Sequence, residues 1–127
     1  MTPQVPAVLI QLAAVVARNA APGVPDAERA SELGLTALLL SLAAEVWDDA
    51  AQNLVIENRA LRRLLEAPGE DDDFRLSRLR AENERLRGRL IEAHIAAETA
   101  GEAARLDAIW AELVASTERR KLSVSLV

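Results

Sequence analysis

The stretch that decides the fold is "IENRALRRLLEAPGEDDDFRLSRLRAENERLRGRLIEA", residues Ile56 to Ala93, because it contains one short phrase twice. The phrase Glu-Asn-x-x-Leu-Arg-x-x-Leu begins at Glu57 and begins again at Glu82. Within each copy the asparagine and the two leucines are three and four residues apart, a spacing that places them on one face of a helix. A Pro-Gly turn followed by acidic residues separates the copies. The pattern therefore predicts two helices that pair with each other.

If each asparagine is given heptad position a, leucines fill most of the remaining seam positions of both helices. If the chain folds back at Gly69-Glu70, facing residues have numbers that add to about 141, so Asn58 lies opposite Asn83. Two buried amides can hydrogen-bond each other, whereas one amide against leucine would be unsatisfied. We therefore predict an antiparallel hairpin whose register is fixed by the two amides. The predicted helix-pairing residues, within one chain or between chains, are Leu54, Asn58, Leu61, Leu65, Leu79, Asn83, Leu86 and Leu90.

These residues resemble a short segment of a basic leucine-zipper protein, with asparagine at a, leucine at d, glutamate before the asparagine and arginine after the leucine. The resemblance covers about nine residues, twice. It implies helix pairing. It implies no DNA-binding role, because no basic region precedes either copy.

The remaining sequence also favours helices. The 127 residues suit a single domain, and alanine, leucine, glutamate and arginine, which are strong helix formers, dominate the chain. Breaks at "AAPGVPD" and "APGEDDD" divide it into helices of about 6–19, 26–67 and 73–120, followed by a frayed tail over 121–127. One of the aspartates Asp71, Asp72 and Asp73 is expected to cap the third helix in a solvated turn, and Gly88 and Gly101 are its weak points.

An all-α fold with a long hairpin covered by the N-terminal helix follows from these boundaries. Because the end of such a hairpin would leave apolar surface in water, we expect a homodimer, completed as a helical bundle. The expected partner is a second copy of the chain, with a helical protein partner as the alternative.

Charge and composition narrow the function. A net charge of −5 disfavours nucleic acid and anionic membranes as partners, although six arginines lie between Arg75 and Arg89. The chain contains no cysteine and only one histidine, which leaves few groups for nucleophilic catalysis or for a soft-metal site. The apolar segment Ala7–Ala17 is too short to span a bilayer and is read as a buried first helix, with a targeting signal as the open alternative. The expected protein is soluble and cytoplasmic, with no cofactor.

One constellation supports a different function. Glu45, Asp48 and Asp49 crowd one turn of the second helix, and fold-back would bring Glu92 near them. Paired acidic residues of this kind hold magnesium in all-α nucleotide hydrolases. The leading prediction is a non-enzymatic interaction or oligomerisation module, and the alternative is a small metal-dependent hydrolase that uses these four carboxylates.

Overall fold

In a computed structural model, which describes residues 4–123, every regular element is a helix and no strand occurs among these residues. The predicted all-α class is confirmed. The elements are α1 (Val5–Val15), continued by a π-helical turn (Val16–Ala20), then α2 (Ala27–Leu64), α3 (Leu76–Ala100) and α4 (Ala103–Arg119).

Local sequence explains both ends of α2. The Asp26 carboxylate accepts hydrogen bonds from the backbone N–H groups of Glu28 and Arg29, at 2.9 and 3.2 Å, and so satisfies the first free donors of the helix. At the other end Glu66 adopts a φ of 51°, and the N–H of Ala67 bonds the carbonyl of Arg62 at 2.9 Å. The left-handed Glu66 therefore closes the helix, whose last residue, Leu64, lies three positions before the predicted end at 67.

The prediction of one helix over 73–120 is wrong. Gly101 has a φ of +68°, and the N–H groups of Gly101 and Glu102 bond the carbonyls of Glu98 and Ala97 at 3.2 and 3.0 Å. Such a left-handed glycine ends a helix, and here it divides the predicted element into α3 and α4. Residues 121–123 lie after the end of α4, and residues 124–127 of the predicted tail lie outside the described part of the chain.

The beginning of α3 also differs from the prediction. The helix starts at Leu76, after an N-cap residue, Arg75, that makes no side-chain cap hydrogen bond. The carboxylate of Asp73 instead accepts a bond from the backbone N–H of Arg75 at 3.1 Å and pairs with its guanidinium. The acidic turn thus organises the chain just before the helix rather than capping it.

The chain forms two compact units, one up to Asp49 and the other from Ala50 onward, and α2 continues from the first into the second. The first unit contains α1, the π-helical turn and the first part of α2, and its buried residues are the small side chains Ala13, Ala37 and Ala44. The second unit contains the end of α2 with α3 and α4. Its core is a cluster of Leu61, Leu86, Leu90 and Ile109, with Leu64, Leu65 and Leu113 packed against it.

In the second unit α4 runs antiparallel to both of its neighbours. Asn53 of α2 donates to the backbone carbonyl of Arg119 at 3.3 Å, while Glu57, one turn later, accepts from Ser116 at 3.1 Å. Residue numbers in α4 therefore decrease as residue numbers in α2 increase, as expected for two antiparallel helices. Only Gly101 and Glu102 separate α3 from α4, and the rings of His94 and Trp110 meet edge to face at 6.0 Å across that corner.

Two helices that are both antiparallel to α4 point the same way, so the contacts give α2 and α3 a parallel orientation. The segment between them returns along α2, since Asp71 bonds both Arg62 and Asn58, and Phe74 lines the same surface cleft as Val55. The antiparallel hairpin expected from the sequence is not what these contacts describe. The eleven residues between α2 and α3 are long enough to cover the roughly 20 Å that this return requires.

The leucines distinguish the two orientations, although the asparagines do not. Antiparallel fold-back would place Leu61 near Leu79, whereas parallel pairing of the two phrases places it beside Leu86. In the structure Leu61 clusters with Leu86, and Leu79 is buried outside that cluster. The two copies of the phrase thus lie side by side, as they do in a parallel zipper, but within one chain.

Candidate functional site

The two asparagines of the repeated phrase meet in the interior. Asn83 donates from Nδ2 to Oδ1 of Asn58 at 3.0 Å, and the two residues are 5% and 0% exposed. Asn58 donates in turn to the backbone carbonyl of Leu79 at 3.2 Å. The predicted contact between the amides is present, and each amide has further partners that keep its buried atoms satisfied.

Glu57 is the centre of the polar contacts on one side of this pair. It is 3% exposed, and its carboxylate accepts bonds from Asn83 at 3.1 Å, Arg87 at 2.7 Å, Ser116 at 3.1 Å and Arg120 at 2.9 Å. The donors belong to α3, to α4 and to the residue that follows α4. One buried carboxylate therefore ties all three helices of the second unit together, and we call Glu57, Asn58 and Asn83 the polar layer.

Charge and hydrogen bonding keep Glu57 ionised. Burial by itself raises the pKa of this carboxyl, but hydrogen bonds from Asn83 and Arg120 and the charges of Arg120 and Arg87 outweigh it. The pKa of Glu57 therefore lies below its ordinary value.

On the other side of the pair, Asp71 and Arg62 anchor the returning segment. Their side chains are 6% and 8% exposed, and the guanidinium donates to the Asp71 carboxylate at 2.7 Å and to Glu82 at 2.9 Å. Asp71 also accepts from Asn58 at 3.3 Å. Hydrogen bonds from Arg85, the largest cause, and from Arg62 lower the pKa of Glu82 to about 2. The expectation that Asp71 lies in a solvated turn is wrong, because this ion pair draws it onto α2.

The predicted pairing residues thus separate into a buried group and a half-buried group. The structure buries six of them, Asn58, Leu61, Leu79, Asn83, Leu86 and Leu90, and leaves Leu54 and Leu65 half-buried. All eight lie in the second unit, where the buried ones hold helices of one chain together. Little of this seam remains free to meet a second chain.

Three important residues of the network are not signalled by the repeated phrase. In the sequence Asp71 looks like one member of an exposed acidic run. The predicted single helix over 73–120 would carry Ser116 and Arg120 far from Glu57. Their role depends on the reversal at Gly101, which turns α4 back toward α2. Glu57 could have been noticed, because an acidic residue beside a seam asparagine must find a cation if it is buried.

The acidic constellation of the hydrolase alternative is not assembled. Glu45, Asp48, Asp49 and Glu92 are all exposed. Among residues 4–123 no three histidine or acidic side chains come together in a way that could hold a metal ion. The single histidine, His94, lies against Trp110, with Nε2 3.6 Å from the Glu98 carboxylate.

A second feature lies in the first unit, where large apolar side chains face solvent. Along α1 the half-exposed residues Val5, Val8, Leu12 and Val15 follow a spacing of three, four and three residues. Along α2 a stripe of Leu35, Leu39, Leu42 and Val46 follows a spacing of four, three and four; Leu35 and Leu39 are 55% and 56% exposed and Leu42 is half-buried. We call these sets the α1 stripe and the α2 stripe. Both have the spacing of a helix-pairing seam.

The same region of α2 satisfies a simple test for a membrane span. By length and composition α2 could cross a bilayer, and 11% of its most apolar 18-residue window is buried. Core helices of soluble proteins and signal sequences satisfy the same test, so it does not decide the environment of α2.

Comparison of the chain with models of protein families, with curated proteins and with solved structures gives no match to any of them.

Proposed function

We propose that the chain is a non-enzymatic helical module that self-associates. The observation that supports this proposal is the contrast between its two units. Leucine and isoleucine form the core of the second unit, although Ile91, Ile95 and Val114 of that unit remain exposed. Among the described residues of the first unit the buried side chains are three alanines, and several Val, Ile, Leu and Trp side chains are about half exposed.

Exposing these apolar side chains to water costs free energy. Removing apolar surface from water contributes roughly 25 cal/mol per Å², so several half-exposed side chains gathered on two helices favour association. A pair of helices cannot cover all of its own apolar faces, and a second pair with the same spacing can complete a four-helix bundle. Two-fold symmetric dimers are the commonest soluble oligomers.

The polar layer has a supporting role in this proposal. Its hydrogen bonds are specific in position, so α2, α3 and α4 pair in one register and do not exchange partners with other chains. The second unit would then act as a stable base that holds the end of α2, and association would be left to the first unit. This differs from the sequence-based expectation, which assigned self-association to the asparagine and leucine seam.

The proposal treats the chain as a cytoplasmic protein whose partner is a copy of itself. Acidic residues flank the apolar part of α2, with Glu28 and Glu32 before it and Asp48 and Asp49 after it. A helix that lies on a membrane usually carries Lys and Arg on its polar face, and only Arg29 is present over 27–49.

Sedimentation equilibrium over protein concentrations from micromolar to submillimolar tests the proposal. We expect the mass to rise from the 13.7 kDa monomer to the dimer, and the thermal midpoint to rise with concentration. A chain that stays monomeric over that range, with a midpoint independent of concentration, would contradict self-association.

A further inference from the structure

The α2 stripe has the geometry of a seam for one further helix. At 100° per residue, Leu35, Leu39, Leu42 and Val46 fall within a narrow band, roughly opposite the buried residues Ala37 and Ala44. Thr36 and Ala43, which border the band on one side, are small enough to permit close approach of a partner helix. Leu38 and Glu45 border it on the other side.

The spacing of the stripe is the same in both directions along the helix. A second copy that runs antiparallel would place Leu39 against Leu42 of the second copy, and Leu35 against Val46 of the second copy. A two-fold axis between Leu39 and Leu42 relates these contacts, so one set of residues supplies both sides of a closed interface. A helix dipole is also better placed beside an antiparallel neighbour than beside a parallel one.

We propose that the α2 stripe pairs with the α2 stripe of a second copy in antiparallel orientation. This inference rests on the proposed self-association and specifies its surface, its residues and its direction. Four layers of leucine and valine form the seam, and the half-exposed leucines Leu35 and Leu39 lose their solvent contact.

The same register predicts an unfavourable contact at each end. Glu32 lies three positions before Leu35, and antiparallel pairing brings it next to Asp49 of the second copy. Like charges at the two ends weaken the dimer in low salt, and screening relieves their repulsion. Sodium chloride therefore strengthens this dimer, which is the opposite of its effect on an interface held by ion pairs.

A membrane surface is less well matched to the stripe than a second copy is. The stripe is a narrow band with acidic residues at both ends, whereas an interfacial helix has a broad apolar face and basic flanks. The chain also carries a net charge of −5, which opposes binding to anionic lipid.

The first experiment locates the seam. Leu39→Glu should weaken dimerisation by about 100-fold or more in sedimentation equilibrium, because it places a carboxylate in a central, desolvated position. Ile91→Glu is the matched control, since Ile91 is 63% exposed on α3, and it should leave the dimer unchanged. Val46→Glu repeats the test at the outer layer, and circular dichroism confirms that each variant keeps its helical content.

The second experiment determines the direction. In the antiparallel dimer Glu32→Lys faces Asp49 of the second copy and should tighten association by about 3- to 30-fold, and sodium chloride should then weaken it. In a parallel dimer the new lysine would face its own copy and the gain would be absent. Glu84→Lys, an exposed position on α3 with the same change in net charge, is the control.

The outcomes separate the inference from the proposed function. A dimer that survives Leu39→Glu and Val46→Glu overturns the seam but leaves self-association in place. A dimer that Glu32→Lys leaves unchanged or loosens overturns the antiparallel direction. A wild-type monomer overturns both proposals. If the monomer instead floats with zwitterionic lipid vesicles, and Leu39→Glu abolishes this, the stripe binds membrane and the inference is wrong.

Discussion

At the scale of single residues, the polar layer shows why buried polar groups specify structure more than they stabilise it. Asn58 and Asn83 fill positions where leucine would bury more apolar surface. Each hydrogen bond that their side-chain amides donate nevertheless has an acceptor outside the donor's own helix. A slip of one heptad would leave those amides and the Glu57 carboxylate against leucine. The layer therefore selects one register out of several that are similar in apolar contact.

Substituting the two asparagines tests this selection. We expect Asn58→Leu alone to destabilise the protein by about 1–3 kcal/mol in urea unfolding, because it strands donors and acceptors of Asn83 and Asp71. The double change with Asn83→Leu should cost less than the sum of the two single changes, by roughly 0.5–2 kcal/mol. Strict additivity would mean that the contact between the amides contributes nothing to stability.

The ionisation of Glu57 predicts how the stability of the fold depends on pH. Its pKa is lowered in the folded chain, so the stabilisation it supplies is fully present above its ordinary value of 4.5 and is lost as pH falls through the folded pKa. Glu82, whose pKa is about 2, acts in the same direction. Thermal midpoints of the wild type should therefore fall steeply from pH 5 toward pH 2.

Glu57→Gln is the matched variant for that measurement. At neutral pH it should destabilise the protein by about 1–3 kcal/mol, because Arg87 and Arg120 lose a charged partner while the shape of the side chain is kept. The difference between variant and wild type should begin to shrink below pH 4.5, where the carboxyl of the unfolded chain takes up a proton, and should be lost as pH falls through the lower pKa of the folded chain. A constant difference down to pH 2 would show that Glu57 does not titrate in this range.

At the scale of helices, a glycine-to-alanine substitution should have opposite effects on stability inside α3 and at its C-terminal end. Gly101 ends the helix at a φ of +68°, whereas Gly88 lies inside it with no atom within 4 Å of an added Cβ. Gly101→Ala should cost about 1–2 kcal/mol in urea unfolding, since a Cβ is strained in the left-handed region. Gly88→Ala should stabilise by about 0.5–1 kcal/mol. Equal effects at both sites would contradict the assigned helix end.

The sequence predicted that these regions are helical and that the two amides meet, but it predicted neither the helix end at Gly101 nor the direction of pairing. Asn58 and Asn83 face each other under antiparallel fold-back and under parallel alignment alike, because the turn lies midway between two identical phrases. The decision depends on Asp71, which bonds Arg62 and Asn58 and so holds the returning segment on α2. It depends also on Gly101, since the reversal there brings Ser116 to Glu57. Both are tertiary contacts for which helical periodicity has no signal.

At the scale of the whole molecule, the two units differ in the side chains that they bury, and in the proposed dimer the second unit supplies stability and the first unit supplies association. The second unit has a leucine and isoleucine core and a buried ionic centre, while the buried side chains described in the first unit are alanines. Local opening is easier where few apolar contacts must be broken. A monomer should therefore be more dynamic in the first unit, and partner binding should stabilise that unit selectively.

Amide hydrogen exchange at low and high protein concentration measures this division. Amides over 35–46 should exchange at least about 10-fold more slowly when the chain is dimeric, because dimerisation raises the free energy of local opening. Each factor of ten in the exchange rate corresponds to about 1.4 kcal/mol. Amides over 86–90 should be protected equally at both concentrations, since their core is complete within one chain. Leu39→Glu should remove the dependence on concentration over 35–46 and leave 86–90 unchanged. Protection that rises in 86–90 instead would mean that the second unit forms the interface and that the exposed stripes of the first unit have another purpose.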